Sequence, residues 1–525
     1  MRILIFHGYL LRGTGSNVYN AELAAALVRL GHEVHLICQE PEPLALDFVD
    51  AAGDWDRGEL RVESRREPAR CTTYRPDIGG LLPVYVADRY AGFDARPFPE
   101  LDDDHVAAYL EANVAAVREV AERARPDVAL ANHLVMGPAI LARALGDRVP
   151  FAMKVHGSAL EYTVKPHPRF LPYAREGTAA AGGVLVGSRH TAESLWAALD
   201  DPDLRARTRL GPPGVDVHAF APREPEEARA GIDRLIARLE GGGDRGSEDD
   251  GAAASTFARD DAAAAQALRS IDTNSDCLVT FVGKLIVAKG IDLLLAAWPL
   301  VNDAVPDARL VVVGFGAYRA ACERLVKALS ERDLAALRQL AEHGRAEEGG
   351  PEGRLDMLGA FLDRLEANPE PRERYLVAAG PAAARIAFTG RLEHAELAEL
   401  LPACQALAFP STFPEAFGMV AAEAAACGVL PVSASHSGLA EVSQALAAAV
   451  PEPARPWLAF DLGPGAVGEL AGRLTAWLQA PPDLRRETRA ALVDMARQRW
   501  SWEGVAEGVI AAAQGRLDGL EFPRP

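Results

Sequence analysis

The stretch FPSTFPEAFGMVAAEAAACG, residues 409–428, decides how the rest of the chain is interpreted. The mostly apolar run 403–409 predicts a buried parallel strand, which the following prolines end. Gly418 permits a close approach of the backbone to a ligand, and a short Ala-rich helix then runs to Gly428. The free N–H groups and the positive dipole end at the start of that helix predict an anion site.

Two carboxylates flank this predicted anion site. Glu415 lies in the loop before the helix, and Glu423 lies inside the helix. Carboxylates accept hydrogen bonds from hydroxyl groups, whereas amides bind phosphate oxygens. The pair therefore favours a ligand that is part phosphate and part polyhydroxyl. By itself the motif leaves an ordinary loop with two solvated glutamates open as the alternative.

A second phosphate-binding pattern begins where a predicted strand over residues 277–282 ends. Gly283, Lys284 and Lys289 follow it, and a helix comes next. Two lysines five residues apart can lie on either side of a diphosphate without a metal ion. For a single lysine, a solvated surface charge is the alternative explanation.

The N-terminal residues predict a βαβ unit of a Rossmann-like domain, with strands over 3–6 and 34–38 and a helix over 17–30. The loop between strand and helix carries Gly13 and Gly15, but it lacks the third glycine of the dinucleotide fingerprint. A tight turn explains these two glycines equally well.

Further along, two predicted strands end in histidines. Residues 128–133 end at His133, and residues 151–155 run into His156. Open α/β sheets bind ligands at the carboxyl ends of their strands, which favours a ligand role for His156. A strand-end histidine satisfied by backbone groups remains the alternative for both residues.

Composition excludes several classes of protein. The formal net charge of −19 argues against a general attraction to nucleic acid or to an anionic membrane. The six cysteines are scattered without a CxxC pair, so neither a zinc site nor a disulfide framework is expected. The sequence has no signal-like N-terminus and no long apolar span, and a cytoplasmic protein without a transmembrane segment is therefore expected.

The Glu-x7-Glu spacing, the preceding Pro-Ser and the following Phe-Gly and Cys-Gly resemble the retaining glycosyltransferases of family 4, which have the GT-B fold. The run Leu23 to Val34 and the Gly314-Phe315-Gly316 turn are also typical of that family. Three residues depart from the family pattern: Lys284 replaces an arginine, Pro213 an asparagine, and Leu439 a glycine. Lysine keeps the charge of arginine but loses its bidentate fork, which changes the expected phosphate geometry.

The resemblance implies an α/β protein with two Rossmann-like domains facing across a cleft. Residues 1–215 are then the acceptor-side domain, 277–495 the nucleotide-sugar domain, and 496–525 a helix that crosses back. Residues 216–276 are predicted to be a linker and a low-complexity insertion, partly helical and partly disordered, whose composition is expected to bury little apolar surface. A second helical or disordered insertion is predicted over about 319–380. The region 43–104 cannot be assigned from its pattern; it is expected to hold acceptor-specific strands and loops.

The roles implied by the resemblance fall into three sets. The catalytic set is Glu415, Lys289, Lys284 and His156. The donor-binding set is Gly13, Gly15, Gly283, Gly314, Gly316, Arg391, Leu392, Phe417, Gly418, Met419, Val420 and Glu423. The acceptor-side set is Asn17, His133 and Ser158.

The implied reaction transfers a sugar from a nucleotide diphospho-sugar to a hydroxyl group, with retention, without a cofactor and without a metal ion. The leaving phosphate takes the acceptor proton, so no enzymatic nucleophile is assigned. Two alternatives remain. One is another GT-B enzyme, such as a nucleotide-sugar epimerase or a phosphorylase, although no motif supports a phosphorylase's pyridoxal lysine. The other is a non-catalytic nucleotide-sugar binding protein, which would not need all four of Lys284, Lys289, Glu415 and Glu423.

Overall fold

The computed structural model describes residues 1–13, 15–56, 58–86, 90, 92–241 and 259–523. The chain divides into two compact units, Met1–Gly214 with Trp500–Pro525 and Val215–Arg499. Each unit is built on its own sheet of mainly parallel strands. Two Rossmann-like α/β units make up the GT-B fold that the sequence predicts.

The first unit contains a nine-stranded sheet in the order β11-β10-β9-β8-β1-β2-β5-β3-β4, parallel except for the β3–β4 pair. Its strands are β1 (Arg2–Phe6), β2 (Glu33–Ile37), β3 (Ala51–Asp56), β4 (Glu59–Ser64), β5 (Cys71–Arg75), β6 (Leu81–Val84), β7 (Asp94–Pro97), β8 (Val128–Asn132), β9 (Phe151–Val155), β10 (Gly183–Val186) and β11 (Thr208–Leu210), of which β6 and β7 pair separately. The central strands β8 and β9 are fully buried, as their apolar sequences predict.

Six of the described helices lie between the strands of the first unit along the chain. They are α1 (Gly15–Arg29), α2 (Asp103–Ala124), α3 (Gly137–Leu145), α4 (Leu171–Ala180), α5 (Arg189–Leu199) and α6 (Pro202–Arg207). The acidic run before α2 acts as a cap, because Asp102 Oδ1 accepts a hydrogen bond from His105 N at 2.8 Å.

Region 43–104, which its pattern left unassigned, supplies five strands of the first unit. β5 pairs in parallel with β2, and β3 and β4 extend the sheet beyond β5. β4 is largely exposed, and the short β6 and β7 contain Pro83 and Pro97. Short strands with mixed polar faces and internal prolines carry little of the alternation by which a strand is predicted.

The second unit contains a six-stranded parallel sheet in the order β14-β13-β12-β15-β16-β17. Its strands are β12 (Cys277–Val282), β13 (Ala308–Val313), β14 (Ile386–Gly390), β15 (Ala406–Phe409), β16 (Leu430–Ala434) and β17 (Ala459–Phe460). Its helices are α7 (Pro225–Gly241), α8 (Asp261–Arg269), α9 (Ile291–Ala304), α10 (Arg319–Glu331), α11 (Leu334–His343), α12 (Asp356–Ala367), α13 (Pro369–Ala383), α14 (His394–Leu400), α15 (Met419–Ala426), α16 (Ser437–Ala449), α17 (Ala466–Leu478) and α18 (Pro482–Arg499).

Both predicted insertions contribute packed helices to the second unit. In the first, α7 and α8 contact each other and α8 contacts β14. The expectation that this insertion buries little apolar surface is wrong at its C-terminal end, because Ala264, Ala265 and Leu268 are each at most 2% exposed. Its central part, residues 242–258, lies outside the described residues.

The second predicted insertion consists of four helices, α10 to α13, so of the two expectations for this tract the helical one is confirmed and the disordered one is wrong. α13 packs on α9 and α10, and α12 packs on α17. Leu358, Leu362 and Tyr375 are buried there. The apolar residues recur at helical spacing, which is the physical reason that the tract packs.

The C-terminal region contains two helices where one was predicted from residue 496. α18 ends at Arg499, and a last helix, α19 (Trp502–Ala513), follows in the first unit. Ser501 separates them because its hydroxyl accepts from Gly504 N at 3.4 Å and so starts a new helix. α19 contacts α1 and β9. Among the residues described, none of the helices combines the length and the apolarity needed to cross a membrane.

Candidate functional site

The centre of the candidate site in the second unit is a contact between Lys289 and Glu415. The Lys289 ammonium group donates to Glu415 Oε1, which also accepts from Ser411 Oγ at 2.7 Å. Both charged side chains are mostly buried, at 24% and 19% exposed. Lys289 follows β12 and Glu415 follows the neighbouring β15, so the parallel sheet brings their loops to the same edge.

The loop that carries the two lysines, residues 283–290, is fixed by backbone hydrogen bonds. Leu285 N donates to Phe315 O at 2.7 Å, and Thr412 N donates to Ala288 O at 2.9 Å. Gly290 ends the loop at φ 65°, and a Cβ there would overlap the carbonyl oxygen of Pro410. The close contact between the two loops therefore requires glycine at this position.

The Gly314–Gly316 turn packs against the same lysine loop. A Cβ at Gly314 would overlap Gly283 O, and a Cβ at Gly316 would lie 2.5 Å from Leu285 O. These glycines are thus required by loop packing inside the protein.

Gly418 and α16, the helix that follows β16, determine the conformation at the start of α15. Gly418 adopts φ 110° at the N-cap, and a Cβ there would lie 2.5 Å from Leu439 Cδ2. Leu439, which departs from the family pattern, is fully buried against this turn. Gly438 N donates to Glu415 O at 2.9 Å, and Ser437 Oγ accepts from Glu415 N at the same distance. α16 therefore fixes the loop that carries Glu415, next to Met419 and Val420 at the start of α15.

Glu423 is buried inside α15, and its partner is a histidine. His394 Nε2 lies 2.9 Å from Glu423 Oε1, and the His394 ring lies 4.7 Å from the Phe220 ring. Glu423 is 3% exposed. Of the other predicted donor-binding residues, Arg391 pairs with Glu393 at 2.6 Å, and Leu392 and Phe417 are buried.

In the first unit, a chain of polar side chains connects His7 to His156. Asn20 Nδ2 donates to His7 Nδ1 at 3.0 Å, Asn132 Nδ2 donates to Asn20 Oδ1 at 2.7 Å, and His156 Nε2 lies 2.8 Å from Asn132 Oδ1. Because the Asn132 oxygen is the acceptor, His156 carries its proton on Nε2. His7 Nε2 in turn donates to Leu10 O and Asn17 Oδ1, each at 3.0 Å.

These histidines are neutral at physiological pH. Burial lowers the pKa of His7 to about 4. Burial, and then the neighbouring His133 and Lys154, lower the pKa of His156 well below its usual value. Burial likewise lowers the pKa of Lys154 to about 7. His156 is therefore an uncharged group that interacts through hydrogen bonds.

His133 lies beside this series of hydrogen-bonded side chains but takes no part in its hydrogen bonds. Its backbone has φ 67°, and its ring is 4.6 Å from the Tyr85 ring and 4.9 Å from the His156 ring. Neither ring nitrogen has a hydrogen-bond partner among the described residues. The backbone-satisfied alternative for His133 is thus wrong, since its ring has no backbone partner there.

The remaining first-unit residues lie close to the same strand ends. Gly13 turns the loop at φ 94°, and Gly15 starts α1. Asn17 is buried and also donates to Arg12 O at 2.7 Å, so its amide shapes this loop. Ser158 directly precedes a short helix, Ala159–Val164.

The predicted residues therefore form two sets, one in each unit. The second unit brings Lys289 and Glu415 into contact, and the first links Asn17 to His156 through His7, Asn20 and Asn132. Sequence reasoning missed His7, Asn20, Asn132, Ser437 and His394 as members of these networks. His7 and Asn132 stand at strand ends, and the rule that singled out His156 could have found them.

Two family models match the chain. The model described as "Glycosyl transferase 4-like domain" matches residues 14–214, and that described as "Glycosyl transferases group 1" matches residues 346–456. Together they cover more than half of the chain. The second match contains Glu415 and Glu423, whereas the lysine loop precedes it.

Curated relatives and solved structures agree with these matches. A D-inositol 3-phosphate glycosyltransferase of Xylanimonas cellulosilytica is 26% identical over 94% of this chain and 90% of its own length. The protein of the same name from Frankia alni is 27% identical over 76% of this chain and 83% of its own length. Among solved structures, sucrose-phosphate synthase from Thermosynechococcus elongatus superposes with a TM-score of 0.57 at 18% identity, covering 99% of both chains. Anabaena HepE in complex with UDP and glucose has a TM-score of 0.55 at 16% identity, covering 98% of this chain and all of that one.

Proposed function

Because the chain belongs to the family 4 glycosyltransferases of GT-B fold, we propose that it moves a sugar from a nucleotide diphospho-sugar to an acceptor hydroxyl with retention of configuration. No cofactor and no metal ion take part in this proposal. The observation that carries it is the contact of Lys289 with Glu415 beside the N-terminus of α15.

The proposed step follows from the charges at this contact. The bond between the sugar's anomeric carbon and the diphosphate breaks, while the acceptor oxygen bonds to the same face of that carbon. The acceptor proton passes to the departing phosphate oxygen. Lys289, Lys284 and the first amides of α15 stabilise the negative charge that develops on the diphosphate. Glu415 offsets the positive charge on the sugar ring and accepts hydrogen bonds from its hydroxyl groups.

Glu423 is proposed to bind the nucleotide's ribose. Its carboxylate already accepts from His394 at 2.9 Å, which holds the side chain in one position inside α15. A carboxylate has several lone-pair sites, so it can accept from a ribose hydroxyl in addition to the imidazole. This interaction would be equal in the ground state and the transition state.

The first unit is proposed to bind the acceptor. His156 is neutral and its tautomer is set by Asn132, so it can accept a hydrogen bond from a hydroxyl group. His133 is buried and its ring lies 4.9 Å from the His156 ring, so it is proposed to act on the acceptor site through its contact with His156. The curated relatives are named for an inositol phosphate, which makes phosphorylated cyclitols the first acceptors to try.

The proposal is tested by incubating the protein with UDP-, GDP-, ADP- and TDP-sugars, with and without inositol phosphates and simple saccharides. The released nucleoside diphosphate is measured, and the anomeric configuration of the product is determined by NMR. Acceptor-dependent release with retained configuration is expected. UDP-sugars come first, since HepE is described in complex with UDP and UDP-glucose.

The two alternatives predict different outcomes of this experiment. An epimerase would convert the donor into an isomer without any acceptor. A binding protein would bind a nucleotide sugar, by calorimetry, without turnover. Either result with the wild-type protein would contradict the proposed transfer.

A further inference from the structure

The second helical insertion reaches into the lysine loop through one side chain. Glu348 Oε2 accepts a hydrogen bond from Val287 N at 2.7 Å. Val287 is the first residue of the 3-10 turn Val287–Lys289, so the carboxylate caps the turn that ends in Lys289. Because one partner is charged, this hydrogen bond is stronger than an ordinary backbone one.

The segment that holds Glu348 is itself tied together. Gly344 forms an isolated bridge with Gly353, and Gly350 N donates to Arg345 O at 3.0 Å. The Glu347 carboxylate, next in sequence, pairs with Arg324 of α10. Glu348 is thus presented by a closed loop that is anchored to a neighbouring helix.

The lysine loop is also held by residues that follow the neighbouring strands β13 and β15. Tyr318 N donates to Leu285 O at 3.0 Å, and Ser411 Oγ donates to Ala288 O at 3.1 Å. Neither of these hydrogen bonds uses the backbone amide of Val287, which donates to Glu348 of the insertion instead. The Val287 side chain is buried. Without the Glu348 carboxylate, a half-buried N–H at the start of the turn would lose its partner.

We propose that Glu348 is a positioning residue, by which the insertion holds the lysine loop in the geometry that binds the donor diphosphate. This inference rests on the proposed function, because it assumes that Lys289 contacts a diphosphate. It gives the insertion a role in donor binding that the family resemblance does not assign.

The alternative role, in which Glu348 inhibits donor binding, predicts the opposite change in affinity when Glu348 is removed. If Glu348 blocked the site by occupying an amide that the diphosphate needs, its removal would strengthen nucleotide binding. If Glu348 holds the loop in place, its removal should weaken donor binding, because the loop must then be ordered when the donor binds.

The test compares Glu348→Ala and Glu348→Gln with Glu352→Ala, an exposed glutamate of the same loop, as the matched control. Hydrogen exchange by mass spectrometry is measured on the peptide that spans residues 283–292, without any ligand. Faster exchange is expected for Glu348→Ala alone, because the glutamine oxygen still accepts from Val287 N. Thermal melting checks the fold, and Glu348→Asp, whose shorter side chain also misses the amide, replaces the alanine variant if that one is unfolded.

Kinetics with the donor identified for the wild-type protein give the second measurement. Glu348→Ala should raise the donor KM by about threefold to tenfold with a smaller change in kcat, and Glu348→Gln should recover most of this loss. Unchanged exchange in Glu348→Ala, or a lowered KM, would overturn the inference. A different result is faster exchange in Glu348→Ala together with a wild-type protein that binds no nucleoside diphosphate. It would overturn the proposed function but would still show that Glu348 orders the lysine loop.

Discussion

At the scale of single residues, Lys289 supplies the charge on which the proposed chemistry depends. Lys289→Ala removes a cation next to the developing phosphate charge, which costs on the order of 2–4 kcal/mol of transition-state stabilisation. We expect kcat to fall by about 30-fold to 1,000-fold while the melting temperature stays near that of the wild type. Lys327→Ala, at a lysine that is 71% exposed, is the control. A folded Lys289→Ala protein with wild-type turnover would contradict the site.

Substitutions of the two carboxylates of the Glu-x7-Glu motif should change different steady-state constants. Glu415→Gln keeps a hydrogen-bonding group but loses the charge that offsets the cationic transition state, so kcat should fall most. Glu423→Gln changes an interaction that is equal in both states, so the donor KM should rise most. Equal losses of kcat at unchanged KM would show that this division of roles is wrong.

Asp292, the second residue of α9, gives a prediction about pH. It is 3% exposed, and burial, with a smaller effect of the Glu348 carboxylate, raises its pKa to about 7. Aspartate in an unfolded chain has a pKa of about 3.9. Between these values the folded state binds more protons, so the free energy of unfolding falls as pH rises from about 4 to 7.

Asp292→Asn should remove this loss of stability. We expect the variant to be more stable than the wild type by about 1–3 kcal/mol at pH 8, and by less at pH 5. Urea denaturation at the two pH values measures the difference. Asp104→Asn, at the same position of α2 but exposed, is the matched control and should show no such trend.

The sequence predicted that Lys289 and Glu415 lie in loops at strand ends, but it did not predict the partners of the candidate residues. Lys289 and Glu415 were found because glycine turns and spacing mark loops at strand ends. His394, the partner of Glu423, lies 29 residues before it in the chain and becomes its neighbour through the order of the strands. Such partners depend on tertiary contacts that spacing does not encode.

At the scale of elements, a core substitution in α8 tests whether this segment of low complexity is part of the folded core. Leu268 is fully buried, and α8 contacts both α7 and β14. Leu268→Ala should lower the free energy of unfolding by about 2–5 kcal/mol through lost burial and a cavity. Gln266→Ala, on the exposed face of the same helix, is the control. Equal stability of the two variants in urea would show that α8 does not pack as described.

The elements that sequence predicted well are those with one dominant pattern. β12 and β13 are mostly apolar runs, with Thr280 and Arg309 as their polar residues, and α2 has helical periodicity with an acidic cap. The predictions were wrong where composition was used in place of periodicity. Alanine-rich α8 looked unable to pack, although a small side chain packs well where two elements approach closely.

At the scale of the whole molecule, the additional helical tracts belong to the second unit, which also contains Lys289 and Glu415. α10 to α13 lie between β13 and β14 in the chain, and they bring Glu348 to the lysine loop. A tract that sequence treats as an addition to the family pattern thus contacts the part of the fold on which the proposed donor binding depends.

The metal requirement of sugar transfer depends on the charge of the whole protein, whose formal net charge is −19. An acidic protein that binds a diphosphate must provide local positive charge, either with a divalent cation or with its own groups. Here Lys284, Lys289 and the amides at the start of α15 are proposed to provide it. Sugar transfer should therefore continue at an unchanged rate in excess EDTA and should not rise when Mg²⁺ is added.

The control for this measurement is the Lys289→Ala protein. If the lysines replace a cation, added Mg²⁺ should recover at most a small part of its lost activity, because a bound cation needs oxygen ligands as well as the diphosphate. A complete loss of wild-type activity in EDTA that Mg²⁺ reverses would mean that the two lysines are insufficient. The charge on the leaving diphosphate would then be shared with a metal ion, and the division of roles between Lys284 and Lys289 would have to be measured again in its presence.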